Sequence, residues 1–365
     1  MRVRHLCAMA LLVAAASFGS LGAAAASGPG SPRPAKGDTA RVVSDVARQW
    51  FKAQWSDYRA HFVSPDGRVV DNANGGVSHS EGQGYGLLLA ETAGDAEGFA
   101  LIWDWTRAHL QIRKDALFAW KWDPKRQAVG DRNTASDGDI LIGWALAKAA
   151  RRFGRDDYRE AARRIAGDVM ATAVRPSRFG PILLPGAMGF GARDQPDGPV
   201  VNPSYWVYPA LSDFDGLFPG QGWEALRRTG LTLLDDSRFG PFGLPSDWVA
   251  LGGPKPAPAR SFKSTFGYDA IRIPLYLAWD PAGPRGSLAR FADLSEPHVI
   301  DVATGAAGEA MGGEGYRAVL ALAGCVLGGR TIPPSLMRTP DALYYPETLR
   351  LLSLSVVLER FSSCL

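Results

Sequence analysis

The sequence predicts an all-α domain in which a ring of buried helices is enclosed by a second, half-exposed ring. Three observations carry this. Apolar residues recur mostly at helical spacing along the chain, and convincing alternating strand patterns are scarce. Some helical segments, such as residues 140–147 (ILIGWALA) and the stretch 86–90, are apolar nearly all round, and a helix with no wet face is buried on every side. Others, such as residues 155–170 (RDDYREAARRIAGDVM), keep one polar face. No repeat of fixed period runs through the chain.

The elements follow in order. Arg2, Arg4 and His5 precede an apolar run from Leu6 to about Phe18 and a small-residue stretch ending near Ala26. These are the parts of a secretory signal peptide, with cleavage expected near Ala26 and export to the periplasm or the medium. A membrane anchor is the weaker reading, because a span needs about 20 uninterrupted apolar residues. Residues 27–38, SGPGSPRPAKGD, have the composition of a flexible tether. Residues 39–365 are expected to form one domain.

Its first helix carries Val42, Val46 and Trp50 as one stripe, with Val43 and Phe51 beside it. Further helices are predicted at 84–110, 139–153, 156–174, 220–234, 269–279, 285–293, 314–327 and 346–361. Long loops rich in Gly, Pro and aromatics separate them at 62–80, 112–136, 175–219 and 236–268. Loops of that length inside a compact domain are usually functional. They hold Trp120, Trp122, Tyr205, Trp206, Tyr208, Trp248 and Tyr268. Any one of these could be a core plug, but together they offer flat faces of the kind that stack on sugar rings.

Removing Arg2 and Arg4 with the leader leaves 38 basic residues against the 37 acidic ones. A near-neutral chain has no electrostatic case for nucleic acid or an anionic membrane, so an uncharged partner is expected. No Cys/His cluster has metal-ligand spacing, so neither metal nor cofactor is expected. Cys325 and Cys364 remain after leader removal, either as a disulfide or with Cys325 as a buried thiol.

Three segments share a layout of polar or glycine-rich residues, a carboxylate and an apolar helix. They are SEGQGYG at 80–86, ASDGDILIGWAL at 135–146 and GYDAIRIPLYLAW at 267–279. Helix capping alone explains an acidic residue at such a place, and explains Asp139 well. It explains Glu81 poorly, because three glycines in five residues make a costly helix start unless a ligand or another backbone must come close.

Together with FAWKW at 118–122 and NPSYW at 202–206, these blocks resemble glycoside hydrolase family 8 in the family's own order, from about Trp50 to Trp279. The resemblance implies an (α/α)6 barrel whose long loops form an open cleft. It implies that Glu81 donates a proton to the leaving oxygen and that Asp269 is the base activating water. Asp137 would be either a nucleophile or the group holding the distorted sugar. Trp120, Tyr205, Trp206, Trp248, Tyr268 and Arg272 are expected to bind substrate, with Arg272 keeping Asp269 ionised.

The blocks are most similar to the cellulase branch, particularly endoglucanases that accompany bacterial cellulose synthesis. A β-1,4-glucan is therefore the expected substrate, cellulose synthase machinery a candidate partner and a monomer the expected state. Xylan, mixed-linkage glucan and chitosan are the alternatives within the family. Inversion would place acid and base about 6.5–9.5 Å apart, whereas a retaining enzyme would use Asp137 directly on the sugar. A glucan-binding protein without catalysis would not need all three carboxylates.

Overall fold

The computed structural model describes residues 36–365 apart from Pro284 and Ser295, with side chains described from Asp45 onward. The expected leader and most of the tether lie outside the described residues. The tether was expected to reach residue 38, but helix begins at Lys36, and no proline after Pro34 stops it from reaching back that far. Val43–Leu365 form one compact unit, and of the residues before it only the start of the first helix is described.

Twelve α-helices lie among the described residues: α1 (Lys36–Phe62), α2 (Ser80–Ala93), α3 (Ala96–His109), α4 (Ser136–Phe153), α5 (Asp156–Thr172), α6 (Tyr208–Leu217), α7 (Trp223–Asp236), α8 (Ile273–Trp279), α9 (Arg285–Ala289), α10 (Glu314–Gly328), α11 (Pro334–Arg338) and α12 (Tyr344–Arg360). The even-numbered helices pack in sequence from α2 to α12, and α12 packs back on α2, closing a ring of six. α3, α5, α7 and α9 lie against α2, α4, α6 and α8, while α11 lies against α10 and α12. α1 joins the last helix through Tyr58 Oη and Thr348 Oγ1 at 2.9 Å, and through Arg350 Nη2 donating to Gln54 Oε1 at 2.8 Å. This is an (α/α)6 barrel.

Burial follows the expected two-ring pattern. α2 is buried along nearly its whole length, and its one late acid, Glu91, is met by Lys148 and Arg152. α5 buries Tyr158, Ala161, Ala162, Ile165, Ala166 and Val169 and turns its charges outward.

Three predicted elements differ. The single helix expected at 84–110 is two, because Gly94 ends α2 at φ 74° and the Asp95 carboxylate starts α3 by accepting from Gly98 N. That Gly-Asp pair is a stop signal followed by a start signal. α6 falls in a stretch read as loop; its Pro209 sits at the first helical turn, where proline starts a helix rather than breaking one. In α1 the buried face is Phe51, Trp55, Tyr58 and Phe62, while Val46 is 64% exposed. At about 100° per residue, Val46 lies about 140° round the helix from Phe51.

Short antiparallel strands tie the long loops down. β1 (Ser78–His79) pairs with β2 (Lys121–Asp123) and that with β3 (Ala128–Val129), and β4 (Val174–Ser177) pairs with β5 (Gly180–Leu183). β6 (Val200–Val201), β7 (Val249–Ala250) and β8 (Ala257–Pro258) form a third sheet. β9 (Thr265–Phe266), β10 (His298–Asp301) and β11 (Ala307–Ala310) form the fourth, with β10 in the middle. Cys325 of α10 and Cys364 form a disulfide with Cα atoms 6.0 Å apart, which decides between the two states left open by the sequence.

Candidate active site

Glu81 stands in the first turn of α2 and Asp137 in the first turn of α4. Asp269 precedes a 3-10 turn, Ala270–Arg272, that leads into α8. Three inner helices thus start at one place. The glycines around the carboxylates allow this. A Cβ on Gly84 would lie 2.6 Å from Leu141 Cβ, and one on Gly138 would lie 2.2 Å from Ser80 Oγ and 2.7 Å from Glu81 N. Gly84 of this motif and Gly138 thus form the seam along which α2 and α4 touch, the close backbone approach that is one of the two reasons expected for the glycines, while Gly82 and Gly86 face Tyr344 and Val69.

Arg272, expected to bind substrate, is instead 1% exposed and engaged by protein groups, and the three carboxylates meet on it. Its Nη1 lies 3.1 Å from Glu81 Oε2 and 3.0 Å from Asp137 Oδ2, and its Nη2 lies 2.8 Å from Asp269 Oδ1. Nη1 also reaches Tyr85 Oη at 3.2 Å, Nη2 donates to Ser204 Oγ at 2.8 Å, and Nε donates to the Asp269 carbonyl at 3.3 Å. Tyr205 lies under the guanidinium, 5.6 Å from its ring centre. Burial works against the charge of Arg272, yet Glu81 and the other groups around it hold the guanidinium firmly protonated.

The carboxylates are not equivalent. The Asp137 side chain is 1% exposed, whereas Glu81 and Asp269 keep 26% and 32%. Asp137 has both oxygens engaged, Oδ1 by Gly138 N at 2.8 Å and Oδ2 by Arg272. Enclosure pushes the Glu81 carboxyl up; Arg272 opposes this and Asp269 adds to it. Asp137 is also pushed up by burial, against Arg272 and with Glu81.

One guanidinium cannot neutralise three carboxylates. Oxygens bridged by a single fork are no more than about 8 Å apart, where two like charges repel by about 2 kcal/mol or more at an effective dielectric near 20. A proton on the cluster is the cheaper state: burial raises Glu81 and pushes Asp137 up to about 7, and of these two only Glu81 keeps the exposure needed to pass a proton outward.

The aromatic residues divide. Trp120 is half-buried beside the acid: its carbonyl accepts from Ser80 N at 3.0 Å and its indole donates to Asp131 at 3.0 Å. His79 stacks on it at 6.1 Å, and Lys121 Nζ lies over its ring at 4.5 Å. Trp248 and Tyr268 line a cavity of about 390 Å³ together with Asp269, Asp247 and Glu309. Trp248 is stacked on Phe262, with ring centres 4.3 Å apart, and lies parallel to Phe190 at 5.6 Å, so its ring is largely taken up by protein aromatics.

Trp206, expected in the cleft, is instead 1% exposed. Its indole donates to Leu226 O at 3.0 Å and lies on Gly230 of α7, where a Cβ would come within 2.2 Å of the ring. It is a core residue. A larger hollow of about 740 Å³ lies by β4 and β5, among Arg175, Arg178 and Arg193, and contains none of the three carboxylates.

Asp139 is no helix cap. Its Oδ1 accepts from Phe118 N at 2.9 Å and its other oxygen takes the Thr134 hydroxyl, fixing the segment that leads to Trp120. Burial pushes it up to about 7. Sequence reasoning missed Tyr85, Tyr276, Ser204 and Asp247. The first two are paired through their hydroxyls at 2.7 Å and read in sequence as ordinary core aromatics. Among the described residues no group of three or more His, Cys, Asp and Glu is arranged to hold a metal ion.

A family model, glycosyl hydrolases family 8, matches residues 39–356. A probable endoglucanase of Novacetimonas hansenii is 38% identical over 321 residues, covering 85% of this chain and 92% of that protein. Among solved structures, an endo-beta-1,4-glucanase of Acetobacter xylinum superposes with a TM-score of 0.76 at 36% identity, over 85% of this chain and 98% of that one. A family 8 endoglucanase of Klebsiella pneumoniae gives 0.76 at 35% identity, over 84% and 100%.

Proposed function

Since this chain belongs to the glycosyl hydrolases of family 8, we propose that it is an endo-β-1,4-glucanase in which Glu81 is the general acid, Asp269 the general base and Asp137 a buried anchor. The observation that carries the division of roles is exposure. Two carboxylates, Glu81 and Asp269, face solvent, while Asp137 lies behind them, held by Arg272 and Gly138 N.

A glucan chain lies across the mouth of the barrel. Glu81, whose pKa enclosure raises, gives its proton to the oxygen of the leaving sugar as the C–O bond breaks. Asp269 takes a proton from a water that attacks the anomeric carbon from the opposite face, and the configuration inverts. The bridging fork of Arg272 caps the distance between the bridged acid and base oxygens at about 8 Å, a limit that still allows the spacing of about 6.5 Å or more that inversion needs for its water. Direct attack by Asp137 is disfavoured, because a 1% exposed carboxylate with both oxygens engaged has no path to the sugar.

Arg272 holds the anchor and the base at fixed distances and gives up no proton. Trp120, Tyr205 and Tyr268 are the sugar-contacting aromatics, while Trp248, stacked between Phe262 and Phe190, lines the cavity wall beside Asp269. Cellulose is the first substrate and xylan or mixed-linkage glucan the alternatives. Export is supported by the Cys325–Cys364 disulfide, which fits an oxidising compartment.

The test is hydrolysis of carboxymethylcellulose followed by viscosity and by proton NMR of the first product. A fast drop in viscosity and an initial α-anomer are expected. A β-anomer appearing first would refute inversion, and no new reducing ends on any β-1,4-glucan would refute the activity.

A further inference from the structure

Asp247 is a fourth buried carboxylate that the reaction above does not use. It lies just before β7, is 9% exposed and lines the same cavity as Asp269. Its Oδ1 accepts two backbone N–H groups, Gly267 N at 2.9 Å and Ala270 N at 2.8 Å, which flank Tyr268 and Asp269 in the chain. Its Oδ2 accepts from Thr265 Oγ1 at 3.2 Å, and its own N–H donates to Thr265 O at 2.7 Å. Thr265 and Phe266 are β9, so the turn carrying Asp269 is held by the sheet on one side and by Asp247 across its opening.

We infer that Asp247 is a positioning residue for the base: its carboxylate clamps the Gly267–Ala270 turn and thereby aims Asp269 at the attacking water. The inference rests on the base assignment proposed above. The fit around the clamp is tight, since a Cβ on Gly267 would stand 2.5 Å from Asp247 Oδ2. The N–H groups at the start of a helical turn need acceptors, and a neutral side chain would serve. A carboxylate here is costly, because burial and the neighbouring Asp269 push it up to about 7. Asp247 shares with the anchor Asp137 the property of fixing a reacting group without itself facing the glycosidic bond. A misplacement of about 1 Å at a reacting group costs on the order of 10²-fold in rate.

Asp247→Ala, Asp247→Asn, Gly267→Ala and Asp269→Ala are compared on one cello-oligosaccharide, with thermal melts to confirm folding and with azide added. Azide substitutes for the water: its nitrogen bonds to the anomeric carbon, the glycosidic C–O bond breaks and the leaving oxygen takes the proton of Glu81. Asp247→Ala should lower kcat on the order of 10²-fold with KM within about twofold, and azide should restore the rate and yield an α-glycosyl azide. Asp247→Asn keeps an acceptor oxygen for both N–H groups and should stay within a few fold of the parent, with no azide response.

Gly267→Ala displaces the same turn without emptying the site, and should reproduce the slow, azide-responsive behaviour even where Asp247→Ala does not fold. Parent-like kcat in a folded Asp247→Ala or in Gly267→Ala overturns the clamp. So does a loss that azide does not relieve, or an Asn variant as slow as Ala. If Asp269→Ala itself shows no azide response, the base assignment falls first and the clamp with it.

Discussion

Gly138→Ala sets two effects of opposite sign against each other. In an isolated helix the change is favourable by about 1 kcal/mol. At this position the new methyl would lie 2.2 Å from Ser80 Oγ, 2.8 Å from Ser80 Cβ and 2.7 Å from Glu81 N. Non-bonded atoms sit at about 3.5 Å or more, so α2 and α4 must separate by about 1 Å at their N-termini. Ser80 is fully buried, and the Glu81 amide is backbone, so neither can rotate aside. Overpacking of this kind costs about 1–3 kcal/mol. The net change in stability is therefore small, a few degrees in Tm for a domain of this size. The displaced group, however, is the acid itself, and about 1 Å there is expected to lower kcat on the order of 10²-fold. Initial rates on carboxymethylcellulose beside thermal melts separate the two effects. A folded Gly138→Ala protein with parental kcat would refute the claim that this seam positions Glu81.

Glu81→Gln should leave the melt unchanged and lower kcat by about 10²–10⁴-fold, since the amide has nearly the same shape but carries no transferable proton; normal turnover would remove Glu81 from its role. In the parent enzyme the acid must be protonated and burial raises its pKa above the ordinary carboxyl value, so kcat/KM should fall as pH rises through that raised value. A pH–rate profile lacking an alkaline limb would contradict the assignment. Trp120→Ala should lower kcat/KM on long cello-oligosaccharides more than on short ones, and a flat length dependence with a collapsed Tm would make it a core residue. Dialysis against EDTA should leave the rate unchanged, and a loss restored by one divalent ion would require a metal in the mechanism.

The two-ring architecture was readable because burial leaves a direct trace in sequence: α2 and α4 have almost no polar face, and α5 does. The three carboxylates were readable because each begins an apolar helix. What joins them was only partly so. Arg272 was read as a partner of Asp269, one turn away, but its contacts with Glu81 and Asp137 cross 191 and 135 positions and leave no local pattern. Asp247 has the same character, since its partners come from a turn some 20 residues on. Trp206 was misplaced because an aromatic beside Tyr205 in a loop looks the same whether it faces sugar or the glycine of a neighbouring helix. Only the small side of Gly230 distinguishes the two.

The ring closes late in the chain. Tyr58 meets Thr348, Gln54 meets Arg350, and Asn72 meets both Tyr344 N and the Ala342 carbonyl. These contacts join segments separated by 270 to 296 residues. While the protein is being synthesised, all three acidic residues therefore exist well before the wall that completes the barrel around them. Contacts this distant along the chain form slowly, because a long loop must be closed before they are gained. A ribosome that stalled before the last helix would release a chain bearing every motif of the enzyme and no closed ring to aim them.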